Sequence, residues 1–261
     1  MKDAASIPSI EDTIESAEEA IQIEQRRITA EIEAYQQFAT KLATISTSAP
    51  PQPTLGTQYG TVERPVNSEA SSIQEFFEET VMSVPHYEED YDEPFEEHIS
   101  AEFTPEFALL LKESNHIAEQ YTSVLESYTR SAITERKNLS KTLETEYDSV
   151  DHLGGQICEL SQQFVEISHC EFNTMDFGSL EAYWRQLEII ITKLDRIAAD
   201  RQQSINAPTR TAGDSNSDIS LNRYLYQDLR CEYPILNTVG ILGRCIHTTQ
   251  TQIERIMTSS E

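Results

Sequence analysis

The 261-residue sequence predicts an all-α fold, an elongated helical bundle with long antiparallel coiled-coil helices and short helices packed at the end. Apolar residues recur at alternating steps of three and four along two long stretches, the spacing of one helix face and of a coiled-coil seam. No stretch alternates apolar and polar residues for more than a few positions, as a half-buried strand would. The proline-rich segments fall between the periodic stretches and punctuate them.

The first periodic stretch runs Ile10, Ile14, Ala17, Ile21, Glu24, Ile28, Glu31, Tyr35, Phe38, Leu42, Ile45. Ser9 and Asp12 form a capping box at its start. As a helix of residues 9–45 it spans about 55 Å at 1.5 Å per residue. Glu24 and Glu31 interrupt its apolar seam, an arrangement that serves register or partner choice at a cost in stability. Residues 46–72 hold four prolines and little periodicity, and read as a flexible linker. The predicted organisation is an N-terminal amphipathic helix at 1–45, that linker, and a helical bundle domain at 73–258.

Within the bundle, Ser72 is placed to cap a short helix carrying Ile73, Phe76, Phe77, Val81 and Met82, which Pro85 ends. A helical piece follows around Phe95–Phe103. Thr104-Pro105 is a cap followed by a first-turn proline, opening a helix at Glu106–Lys112. From about Ser114 a seam runs through Ile117, Tyr121, Val124, Tyr128, Ala132, Glu135, Leu139, Leu143, Glu146, Val150, Leu153, Ile157, Leu160, Phe164 and Ile167. Gly154-Gly155 inside it costs about 1 kcal/mol per glycine relative to alanine, so a bend or a close helix crossing is expected there, with a break as the alternative. Ser179 is expected to cap a helix striped by Leu180, Trp184, Leu187, Ile191, Leu194 and Ala198. A second linker at 207–217 precedes a C-terminal helix pair at 218–258, in which Asp218 caps Ile219–Leu229 and Pro234 opens the last helix.

Lysine and arginine number 19 against 45 aspartates and glutamates, a formal net charge of −26. That balance argues against nucleic acid as a direct partner, since phosphate backbones demand a basic footprint. Only a folding-assembled cluster such as Arg130, Arg136 and Arg244 would restore it. Six lysines against thirteen arginines, with abundant Ser and Thr, fit a cytoplasm of molar KCl. There the screening length falls to about 3 Å and carboxylates cease to repel one another over distance. The N-terminus lacks a secretory pattern and no run approaches the ~20 apolar residues of a membrane span, so the expected location is cytoplasmic, without a membrane partner. Cysteines 158, 170, 231 and 245 have no zinc-site spacing and read as small buried hydrophobes.

One segment carries metal-ligand chemistry. His86–His98 holds two histidines and seven carboxylates within thirteen residues, enough for a hard or borderline divalent ion. The candidate metal ligands are His86, Glu89, Glu93 and His98. The segment has no glycine for an EF-hand turn, and the residue three before His98 is Phe95 where a di-iron helix carries glutamate. The competing reading is solvated acid around buried Tyr and Phe. Catalytic residues and cofactors are expected to be absent: there is no phosphate-cradling glycine loop, nucleophile elbow or zinc-protease motif. Tyr224, Tyr226 and Tyr233 are expected to pack the C-terminal helix pair.

Two blocks carry a family resemblance. One is Glu79-Thr-Val-Met-Ser-Val-Pro-His-Tyr-Glu-Glu-Asp-Tyr-Asp-Glu-Pro94 with His98 and Ala101-Glu102-Phe103. The other is Leu221-Asn-Arg-Tyr-Leu-Tyr-Gln-Asp-Leu229 with Tyr233-Pro234-Ile-Leu236. With the acidic first helix and the long coiled coil, they resemble a family of uncharacterised haloarchaeal proteins, a domain of unknown function. That resemblance implies a high-salt cytoplasm and brings no assigned activity, cofactor or catalytic residue. The expected function is a non-enzymatic structural or interaction protein, forming a homo-oligomer or meeting a protein partner through the 9–45 helix. The alternative is a metal- or small-ligand-binding sensor or enzyme with a site near His86–His98.

Overall fold

A computed structural model describes residues 8–46, 69–113, 119–206 and 221–259. Among the described residues every regular element is helical. They are α1 (Pro8–Ser46), α2 (Glu69–Thr80), α3 (Tyr87–Asp90), α4 (Phe95–Glu102), α5 (Pro105–Glu113), α6 (Glu119–Ser168), α7 (Phe177–Asn206), α8 (Leu221–Leu225) and α9 (Pro234–Ser259), with short 3₁₀ turns at Val81–Ser83 and Phe172–Thr174. The two linkers lie outside the described residues, apart from Ser46 and residues 69–72, which are helical. Ser114, Ile117, Asp218 and Ile219 also lie outside them.

Element ends differ from expectation where a better start was available. α1 begins at Pro8, so Ser9 stands inside the helix; proline suits a first turn whose N–H groups have no helical partner. α2 begins at Glu69 and encloses Ser72. α7 starts two residues before Ser179. Its cap is Asp176, whose carboxylate accepts hydrogen bonds from the Ser179 backbone N–H (2.9 Å) and hydroxyl (3.2 Å), and these two bonds hold its pKa below the usual range. α8 stops at Leu225 rather than continuing to Leu229. The Thr104-Pro105 start holds: the Thr104 hydroxyl oxygen accepts the Phe107 N–H at 3.2 Å.

The chain divides into two compact units, residues 1–24 with 142–261, and residues 25–141. In the first, α1 and α6 run antiparallel. Ile14 meets Gly154, and Gln22 donates to the Tyr147 hydroxyl at 3.2 Å, so later residues of α1 meet earlier ones of α6. Ile10, Ile14, Ala17 and Ile21 are buried, as are Leu143, Val150, Ile157, Leu160 and Phe164. α7 packs on α9 in the same unit. The buried stripe of α7 is Leu180, Leu187, Ile190, Leu194, Ile197 and Arg201; Trp184, Ile191 and Ala198 are only half-buried.

α6 passes through Gly154-Gly155 as one helix. The close-crossing expectation therefore applies, but to one glycine alone. A Cβ on Gly154 would stand 2.6 Å from Ile14 Cγ2, whereas one on Gly155 would meet nothing within 4 Å. Ile14 is 4% exposed and β-branched, so its Cγ2 cannot swing aside without breaking its rotamer. Gly154→Ala is therefore expected to destabilise the chain by about 1–3 kcal/mol through overpacking. Gly155→Ala should stabilise it by about 0.5–1 kcal/mol through helix propensity. Urea unfolding of both variants at one KCl concentration checks the opposite signs.

The second unit gathers α2, α4 and α5 around the 25–46 part of α1 and the 119–141 part of α6. Phe77 of α2 is its aromatic hub, meeting Tyr35, Phe38, Phe95 and Phe103 edge-on at centroid distances of 5.1 to 6.2 Å. Here the α6 seam departs from expectation by one position. Tyr121 and Val124 are exposed, while Thr122, Leu125 and Thr129 are buried; Ala132 is buried as the spacing predicts. Buried Thr129 satisfies its hydroxyl on the Leu125 carbonyl at 2.8 Å, so it can occupy a core position. Glu135 likewise faces solvent and accepts from Ser131, and the next residue, Arg136, takes the inward place.

Candidate functional site

Three seam carboxylates of the long helices are buried: Glu24, Glu31 and Glu146, at 8%, 7% and 9% exposure. A carboxylate in such a place is costly unless donors surround it. Each finds donors on other elements, and two of them organise extended networks.

In the second unit, Glu31 of α1 receives donors from two directions. Oε2 accepts Arg136 Nε of α6 at 2.6 Å. Oε1 accepts the Tyr91 hydroxyl at 3.1 Å and lies 3.1 Å from His86 Nε2. A carboxylate has no proton to give in that last contact, so the imidazole N–H donates. Arg136 also forks onto Glu102 of α4, with its two terminal nitrogens 2.7 and 3.3 Å from the two oxygens. Its guanidinium lies over the Tyr35 ring, 4.3 Å from the centroid. One arginine thus ties α1, α4 and α6 together. Burial alone would lower its pKa, but Tyr35, Glu102 and Glu31 outweigh that and hold it above the ordinary value. Burial, then the Glu31 charge, pushes the Tyr91 phenol up. Burial, then Glu102, does the same for Tyr35 against the opposing Arg136.

Tyr91 connects this hub to His98. Its ring meets the His98 imidazole at 4.9 Å, and Tyr87 lies alongside at 5.3 Å with its hydroxyl 3.1 Å from His98 Nδ1. The Tyr87 hydroxyl also donates to the Glu93 carbonyl at 3.1 Å. With that single proton spent, His98 Nδ1–H donates to Tyr87 and Nε2 is left as a bare lone pair. Nε2 is buried without a hydrogen-bond partner. Burial lowers the His98 pKa, which keeps the ring neutral, despite the raising effect of Glu102 and Glu93.

The four candidate metal ligands are therefore distributed over different tasks. His86 serves Glu31, and His98 stacks among Tyr87, Tyr91 and Phe77. Glu89 is exposed and pairs with Arg27 at 2.8 Å, and Glu93 contributes its backbone carbonyl to Tyr87. Among the described residues no group of three or more His, Cys, Asp or Glu side chains is arranged to hold a metal ion.

In the first unit, Glu146 of α6 is held by Arg201 of α7 in a bidentate pair, with distances of 2.5 Å to Oε1 and 2.9 Å to Oε2. The Tyr226 hydroxyl donates to Oε1 at 2.6 Å. Arg201 is 2% exposed and also donates to Ser149 and Asn222 oxygens, each at 3.3 Å. Burial would lower the Arg201 pKa, but the bond to Glu146 and its charge hold it above the usual value. Burial and Glu146 push the Tyr226 phenol well up. Tyr226, fully buried, thus reaches into this network with its hydroxyl. Its neighbour Tyr224 is 44% exposed and donates to Glu24 at 2.9 Å.

The chemistry of both networks is that of a clamp. Every oxygen of Glu31 and Glu146 accepts at least one donor, and both arginines are held charged. Sequence reasoning found the two glutamates, named Arg136 only as part of a possible nucleic-acid cluster and Glu102 and Tyr91 only within a family block, and missed Arg201. A signal existed for Arg201, which continues the seven-residue step Leu187, Leu194, Arg201. Cys158, Cys170 and Cys231 are half-buried and Cys245 is buried. Among the described residues no helix is long and apolar enough to cross a membrane.

A family model described as "Domain of unknown function (DUF7260)" matches residues 12–250. No curated protein and no solved structure matches the chain.

Proposed function

We propose that the chain, which belongs to the DUF7260 family of domains of unknown function, is a non-enzymatic interaction scaffold of a high-salt cytoplasm. One observation carries this reading: the buried acids Glu31 and Glu146 are saturated by donors that hold helices in register. Interior polar groups committed in this way are poor acids and bases, because proton transfer needs a group able to change partners. The apolar stripe of α1 is buried within its own chain, so association uses outward helix faces. The net charge of −26 supports the high-salt setting, since screening at molar KCl removes the repulsion such a surface suffers in dilute buffer.

The test is size-exclusion chromatography with light scattering on native extract, and on the purified full chain, in ~2–3 M KCl. The scaffold reading expects a species heavier than the 29.7 kDa chain in at least one of the two. A strict 29.7 kDa monomer in both would contradict it.

A further inference from the structure

The first unit carries an open groove of about 630 Å³ between α7 and α9. Its apolar floor is Trp184 and Ile189 of α7 with Met257 of α9. Ile189 is 56% exposed, unusual for an isoleucine beside a tryptophan. The α7 residues lining the groove, 181, 184, 185, 188 and 189, follow the i, i+3, i+4, i+7, i+8 pattern of one helix face. That face is about 12 Å long at 1.5 Å per residue, two turns of helix.

The rim is acidic. Glu181, Glu188 and Glu254 border the groove against one cation, Arg185, which is already paired with Glu181 at 2.6 Å. Glu254 accepts the Trp184 indole N–H at 2.9 Å, which fixes the indole against the rim. Among the described residues Glu188 forms no ion pair. The apolar residues Trp184 and Ile189 within that two-turn face, with Met257 opposite and bordered by the carboxylates of Glu188 and Glu254, are complementary to an amphipathic helix with aliphatic anchors and flanking Lys or Arg.

We infer that the α7/α9 groove docks a basic amphipathic helix of a protein partner, with aliphatic side chains on Trp184, Ile189 and Met257 and cations on Glu188 and Glu254. The inference rests on the scaffold reading and supplies its partner chemistry. Contact-range pairs survive molar salt, whereas long-range attraction to an acidic surface does not. The apolar floor then sets affinity and the rim sets which helices are accepted.

Trp184 is the only tryptophan of the chain, so its emission reports this groove alone. The probe is a synthetic helix-forming peptide with leucine at i, i+3, i+4 and i+7 and lysine at the flanking positions, titrated into the full chain in ~1 M KCl. The expected result is a saturable blue shift of Trp184 emission at one peptide per chain. Ile189→Glu, at an exposed position and with unchanged helical circular dichroism, should weaken binding at least tenfold. Glu188→Gln should weaken it a few-fold. Ile189→Glu adds negative charge, so attraction to the acidic surface in general would instead hold or tighten binding. Unweakened binding by Ile189→Glu, or an unshifted Trp184 emission at saturating peptide, overturns the proposal. Either result leaves the mass of the complex in extract unaffected, so the groove and the scaffold reading fail separately.

Discussion

Arg201→Ala is expected to lower the stability of the chain by about 3–5 kcal/mol, the cost of stranding one member of a buried ion pair. Arg201 is 2% exposed, and its removal leaves Glu146 buried with Tyr226 as its remaining donor and Asn222 without its guanidinium contact. Urea unfolding in ~2 M and ~4 M KCl should show the same loss in both, because a pair out of contact with solvent is barely screened. A loss below about 1 kcal/mol would place Arg201 among ordinary surface charges.

Arg136→Ala is expected to cost about 3 kcal/mol or more in the second unit, for the same reason and one more. The guanidinium serves two carboxylates, Glu31 and Glu102, and covers the Tyr35 ring. Its loss sets two buried or half-buried acids close together with no cation between them. Arg136→Lys separates charge from geometry. Lysine restores a point charge but cannot donate to Glu31 through Nε while forking onto Glu102, so it should recover less than half of the loss. Full recovery by lysine would show that charge alone matters there. Urea unfolding of the two variants beside the parent chain gives both values.

The long helices were legible because their seams are long and one-sided. In α1 the predicted stripe from Ile10 to Leu42 is buried throughout, including Glu24 and Glu31. Periodicity over many turns leaves only one face to bury. Legibility failed where several residues compete for the inward place. Ile189, Ile190 and Ile191 are consecutive, so composition could not set the phase of α7, and the structure buries Ile190. In the first turns of α6 the hydrophobic choice of Tyr121 and Val124 loses to Thr122 and Leu125, and Thr129 completes the buried face by bonding its own helix backbone. Thr129 looks like a surface residue only while its hydroxyl lacks a partner.

The clamps were half legible. Glutamates on a seam announce a need for donors, but the donors lie 105 residues away for Glu31 with Arg136 and 55 for Glu146 with Arg201. No local rule links residues at such separations. The acidic segment at His86–His98 attracted interest for its carboxylates, yet its interior contribution is aromatic and imidazole: Tyr87, Tyr91, His86 and His98 face inward while Glu89 stays outside.

A double-mutant cycle at Glu146 and Arg201 tests most directly whether buried acid–arginine layers hold this helical framework. Glu146→Leu, Arg201→Met and the double variant are unfolded in urea at one KCl concentration. If the pair acts as a clamp, each single change is costly and the double change costs little more than either, giving a coupling energy of about 2 kcal/mol or more. Single losses that add to within about 0.5 kcal/mol would show two independent residues and contradict it.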